Sequence, residues 1–285
     1  MSVRPEYEIR ITDTGPIGDA ARPLSGWERI TGIAALRRLA LLTVLALVWE
    51  AYARHLSNPL MLPTFTDTAT ALWDGITRDG LPVMAWVSLS VLMKGYALAV
   101  VIAVALTSLA VSGRWGDDLL STLTAMLNPL PAIALLPLAM LWFGLGQTAL
   151  IFVLVHAVLW PLALNMHAGF TAVPETLRMA GRNYGLRGPR YVAQILVPAA
   201  FPAILTGLKV GWAFAWRTLI AAELVFGVAS GKGGLGWFIF QNRNELYIDK
   251  VFAGLVTVIL IGLAVETIVF RWIESRTVRH WGMVR

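Results

Sequence analysis

Lys209, Arg217 and Glu223 fall within residues 200–226, a stretch that is otherwise nearly all apolar. A charge at bilayer depth costs about 2.5–3.5 kcal/mol on insertion scales, so charges there are kept for pairing or for a substrate path. Arg217 and Glu223 are six residues apart. On a helix that is roughly 120° of separation, too far for a pair within one helix. Each must face another helix, a partner subunit or a wet cavity. For Arg217 a structural ion pair and a place on a substrate path both stay open. In the second case its planar fork suits the oxygens of a carboxylate, sulfonate or nitrate. Lys209 lies nearer one end, where its stem can snorkel.

Other residue patterns that could do chemistry point elsewhere. Gly231-Lys232-Gly233-Gly234-Leu235-Gly236 matches G-x-G-x-x-G. A dinucleotide site needs a strand before that run and a helix after it. Here an apolar helix precedes it, and a flexible loop or a tight backbone approach is the better reading. The chain has no G-x-x-x-x-G-K-[ST] and so cannot cradle ATP phosphates itself. His156 and His167 are eleven apart and share roughly one helix face. Two imidazoles without carboxylate or thiolate company are not a metal site, and hydrogen bonding between helices is their expected role. With no cysteine there is no disulfide framework. No catalytic residue and no metal ligand is assigned.

These residues need a membrane bundle to hold them. Of the 285 residues, 57% are hydrophobic and 14% charged, and mean hydropathy is +0.68. That much apolar surface implies an all-α, polytopic membrane protein. Residues 1–30 mix both charge signs with Pro and Gly and read as a flexible tail. Residues 27–38 form a candidate amphipathic surface helix. Spans are expected at about Leu39–Tyr52, Ala85–Ser112, Leu123–Phe143, Thr148–Phe170, Ala200–Phe226 and Val251–Phe270. From Leu119 to Pro174 there is no Asp, Glu, Lys or Arg, so two spans fit, with the break at Trp142–Gln147. Pro129, Pro131 and Pro137 kink the third span. A short helix is expected near Asp67–Thr77 in the polar segment 57–84.

The loop 171–199 holds four Arg against one Glu, and the tail 271–285 holds the same balance. The segment 57–84 is net acidic. Lys/Arg bias then places both termini and the 171–199 loop in the cytoplasm. The net charge of +6 is read as this bias, and no nucleic acid is expected as a partner. Prolines and glycines in the loop describe short helices joined by turns. A knob of that kind can be gripped by a soluble partner. An ordinary basic loop facing anionic lipid is the plainer alternative.

At this loop the sequence resembles the permease subunits of bacterial ABC importers, whose cytoplasmic signature has the form E-A-A-x3-G-x9-I-x-L-P. Met179-Ala180-Gly181, then Gly185, then Ile195, Val197 and Pro198 fit its spacing. Met179 replaces the signature Glu and Gly181 the second Ala. Outside the loop, Pro129-Leu130-Pro131, Trp142-Phe143-Gly144-Leu145-Gly146, Ala221-Ala222-Glu223, Gly234-Leu235-Gly236 and Trp281 resemble the nitrate/sulfonate/taurine branch.

The resemblance implies a six-helix, type I importer permease fold over residues 31–285, with coupling helices in 171–199 between helices four and five. It implies a multi-pass protein of the bacterial inner membrane that pairs with itself as a homodimer. Two ATPase subunits would bind ATP and Mg, and this chain would bind no cofactor. An extracytoplasmic binding protein would deliver a small anion. Met179, Ala180, Gly181, Gly185, Ile195 and Pro198 become the ATPase-coupling residues, and Arg217 and Glu223 candidates for the translocation path. A stand-alone ion-coupled transporter or channel is the alternative.

Overall fold

The computed structural model describes residues 33–226 and 233–278. The tail 1–30, the start of the 27–38 stretch, Gly231, Lys232, His280 and Trp281 lie outside the described residues. Every regular element among the described residues is helical. The chain divides into two units, Met1–Trp49 and Glu50–Arg285. Helix α1 (Ala34–Leu56) runs across that division. Its segment 39–48 is apolar but for Thr43, whose hydroxyl donates to the Leu39 carbonyl at 3.0 Å.

The second unit continues with α2 (Phe65–Thr77), α3 (Leu81–Ser112) and α4 (Arg114–Leu127). A 3-10 turn, Ala132–Leu135, leads into α5 (Leu136–Phe143), followed by α6 (Gln147–Thr171) and α7 (Glu175–Asn183). Next, α8 (Gly188–Tyr191) passes through a π-helical turn, Val192–Leu196, into α9 (Val197–Phe226). Then come α10 (Leu235–Asn244), α11 (Ile248–Ala264), a π turn at Val265–Phe270 and α12 (Arg271–Arg276).

Among the described residues, four helical stretches are long and apolar enough to cross a bilayer: Leu81–Ser112, Gln147–Thr171, Val192–Val225 and Ile248–Arg276. The count is five if α4 and the segment 132–143 are taken as one broken span. These two halves meet at 85°. The expected single helix at Leu123–Phe143 is therefore corrected to a broken one. Pro129 and Pro131 each lack an N–H donor; Asn128 still keeps helical backbone, and the chain turns extended at Pro131, φ −60° and ψ 120°. Together they break the helix where one proline would bend it. Segment 112–118 is a corner, with α4 beginning at Arg114. The expected break at Trp142–Gln147 is present, with Gly144 at φ +76°.

The loop 171–199 also ends sooner than its polarity suggests. Helix resumes at Gly188 and continues into the span. Pro198 cannot donate to the carbonyl four residues back, and the π turn just before it absorbs that mismatch. The Val197 N–H accordingly reaches the Val192 carbonyl.

α6 packs against α3 and α9, and the core is centred on these three. The approach of α9 to α6 uses Gly207-Leu208-Lys209-Val210-Gly211, a small-xxx-small pattern. A Cβ on Gly207 would lie 2.8 Å from Asn165 Cβ, and one on Gly211 3.0 Å from Val158. Buried polar tips find backbone partners. The Tyr96 hydroxyl donates to the Leu208 carbonyl at 2.8 Å. Trp216 Nε1 donates to the Val258 carbonyl at 3.2 Å. Lys209 does not merely snorkel, for it pairs with Glu274 at 2.7 Å.

Candidate functional site

The basic loop is built as a fixed knob. The α7 helix ends in a Schellman motif. The Leu186 N–H bonds back to the Gly181 carbonyl at 3.1 Å, and the Gly185 N–H to the Arg182 carbonyl at 2.9 Å. Gly185 occupies the left-handed position this motif requires, at φ +75°. The signature glycine thus has a local cause. Gly181 has one too, since a Cβ there would press on Ile195 at 2.9 Å and on the Tyr191 ring at 3.0 Å. Ile195 belongs to the π turn below α9 and so joins α7 to the base of that span. Met179 is exposed, and Ala180 and Pro198 are half-buried.

Arg178 fastens the other side of the knob. Its guanidinium donates to the Phe170 carbonyl at 2.7 Å and, through Nε, to the Val173 carbonyl at 3.2 Å. These are carbonyls at and just past the last turn of α6, where a cation is favourable. Sequence reasoning counted Arg178 only as basic charge, and no spacing rule singles it out. Arg178→Ala is expected to leave membrane insertion unchanged and to cut coupled transport several-fold, because α7 then swings free of α6. Uptake measured beside membrane abundance checks this. Full uptake would make Arg178 dispensable.

Arg217 and Glu223 are not brought together. Glu223 is only 1% exposed. Its carboxylate accepts from the Ser88 hydroxyl at 2.8 and 2.9 Å and from the Gly236 N–H at 2.8 Å. Ser88 Oγ in turn accepts from the Leu235 N–H at 2.8 Å. The group thereby clamps α3, the end of α9 and the start of α10. A Cβ on Gly234 would collide with the Glu223 carboxylate and Ser88 Oγ. Gly234 is thus a close backbone approach.

Arg217 faces outward from α9, its guanidinium 5.0 Å above the Phe214 ring and its Nε donating to the Ala213 carbonyl at 2.9 Å. It has no acidic partner within 4 Å among the described residues. Thr206, Ala213, Phe214 and Val225 are exposed along the same helix.

A cavity of about 530 Å³ opens at the proline break. Asn128, His156, Trp160, Asn165, Phe214 and Thr218 are among its lining residues. His156 Nδ1 accepts from Trp160 Nε1 at 3.2 Å. Nε2 therefore carries the proton, and it lies 3.3 Å from the Leu130 carbonyl, one of those freed by the break. His167 Nε2 contacts an Asp117 oxygen at 3.0 Å, linking α6 to α4. Both histidines act as links between elements, as expected. Neither the cavity nor Ser88 was found in the sequence, since each is assembled from distant segments.

Membrane-crossing helices beside a mainly apolar cavity that carries a few polar side chains, with a stiff knob fixed to two of them, make up a multi-pass transport permease. Residues 95–279 match the family described as binding-protein-dependent transport system inner membrane component. A Methanocaldococcus jannaschii chain assigned to the ABC transporter permeases is 31% identical over 243 residues, 84% of this chain and 90% of that one. The nitrate import permease protein of Synechocystis is 31% identical over 220 residues, 77% of this chain and 76% of that one. The taurine transport system permease protein of Escherichia coli is 30% identical over 232 residues, 79% and 82% of the two chains. Bicarbonate and aliphatic sulfonate transport permeases are also similar to it. The chain belongs to this family of ABC transport permeases, in its nitrate/sulfonate/taurine branch.

Proposed function

We propose that this chain is the membrane-spanning subunit of an ATP-driven importer for a small anion such as a sulfonate, nitrate, taurine or a related organic acid. The observation that carries this reading is the knob. α7 is stapled to the end of α6 by Arg178 and packed on the π turn at the foot of α9. A push on α7 therefore moves two spans as one body, which is what rigid-body alternating access needs. Met179, Ala180, Gly181, Gly185, Ile195 and Pro198 are the coupling residues in this scheme. Two separate ATPase subunits supply ATP and Mg, and an extracytoplasmic binding protein supplies the substrate.

Counting α1 and the broken span, six spans put both termini on the Lys/Arg-rich side, the cytoplasmic face of an inner membrane. Residues 31–285 form the transmembrane domain in this scheme, after a cytoplasmic tail at 1–30. An outward Arg217 facing lipid would be costly. Its stripe on α9 instead suits the shared wall of a homodimer, with Arg217 on the translocation path. Glu223, the other candidate for that path, is held in its clamp.

The test is reconstitution of the permease with its ATPase and binding protein. Binding-protein-stimulated ATP hydrolysis coupled to anion uptake is expected. Uptake by the purified chain alone in liposomes without ATP would replace this reading with a stand-alone carrier.

A further inference from the structure

We propose that the cavity at the proline break is a binding site for a small oxyanion. Asn128, Asn165 and Thr218 supply neutral hydrogen bonds, and Arg217 selects the charge. The inference rests on the transport reading for when the site is filled, but its occupancy can be read separately.

The hydrogen bonds leave a defined set of donors. His156 and Trp160 spend their N–H groups on each other and on the Leu130 carbonyl. Asn165 spends one N–H on the Pro161 carbonyl at 2.7 Å and keeps the other. The Asn128 amide and the Thr218 hydroxyl have no protein partner among the described residues. Asn128 is exposed and Thr218 half-buried, so both groups are open to whatever enters the cavity.

Among the described residues no acidic side chain lines the cavity, so none there repels an anion. Arg217 precedes Thr218 in sequence and covers the Phe214 ring, and both of those residues are cavity wall. Arg217 does not itself line the cavity; with no carboxylate within 4 Å among the described residues, its charge acts on what enters from beside the Phe214–Thr218 wall. At about 30 Å³ per water, 530 Å³ holds an oxyanion with part of its hydration shell. Neutral amide and hydroxyl donors bind such an ion weakly enough to release it, as a transport path needs.

The chain has no cysteine, so one substituted thiol can be read alone. Thr218→Cys and Asn165→Cys are made separately in the full transporter in membrane vesicles. Each is treated with anionic sulfonatoethyl and cationic trimethylammonium-ethyl methanethiosulfonate, with rates normalised to a free thiol. The anionic reagent is expected to react faster by roughly threefold or more. Arg217→Gln in the Thr218→Cys background should abolish that preference. Millimolar nitrate, bicarbonate or methanesulfonate, tried in turn, should slow labelling for at least one anion.

The proposal is overturned if neither thiol reacts, if both reagents react alike with Arg217 present, or if none of the three anions protects. Labelling as expected in a complex that shows no ATP-driven uptake would sink the importer reading and leave the site standing.

Discussion

Glu223→Ala is expected to lower the melting temperature of the detergent-purified permease by on the order of 10 °C. The carboxylate is enclosed and accepts from two donors on different elements, the Ser88 hydroxyl and the Gly236 N–H. Alanine removes both acceptors and leaves both donors dry. An orphaned buried donor costs about 1–3 kcal/mol, and a domain of this size loses about 2–4 °C per kcal/mol. Glu223→Gln should lose about half as much, because a carboxamide keeps one acceptor oxygen and turns a donor on the other partner. Gly234→Val should behave like the alanine variant, since its side chain must displace the carboxylate and Ser88. The effects of Ser88→Ala and Glu223→Ala should fall short of additive, as expected within one network. A Glu223→Ala protein with wild-type melting and uptake would show that the clamp contributes nothing.

The clamp also shows where the sequence stops being readable. Glu223 stood out because a lone acid in an apolar run is rare. Its partners did not, since Ser88 lies 135 residues away and the other donor is a backbone N–H. The spans at Ala85–Ser112 and Thr148–Phe170 were legible because continuous apolar runs fix helix length. In the third, the prolines mark a kink, but apolarity does not show that the kink becomes an 85° break. Pro129 and Pro131 are apolar enough to pass, yet they deny the helix two hydrogen bonds. Thr64 carried a usable signal in Thr64-x-x-Asp67. The structure closes that capping box and starts α2 at Phe65. His156 could be assigned to glue between elements, but not to the Leu130 carbonyl, which is free only because the helix breaks there.

Gly185→Val is expected to cut binding-protein-stimulated ATP hydrolysis and uptake about 10–30-fold while membrane abundance stays near wild type. The argument is local. Gly185 stands at φ +75°, where a β-branched residue pays roughly 1–2 kcal/mol or more. Valine relieves that strain by undoing the turn, which releases the Gly181 and Arg182 carbonyls from Leu186 and Gly185. The last turn of α7 then frays. A partner that grips α7 must first re-form it, so apparent docking weakens by the fraction still folded. The spans themselves lose no contact, since a Cβ at Gly185 would meet no atom within 4 Å. Assembly in the membrane and melting should therefore be spared. Gly185→Asn tests the cause, since asparagine is the residue that best tolerates this conformation after glycine. It should keep most of the activity although it is no smaller than other polar choices. If valine and asparagine are equally damaging, side-chain bulk at the partner's surface governs the position and the turn does not. If both are harmless, the knob is not gripped at α7.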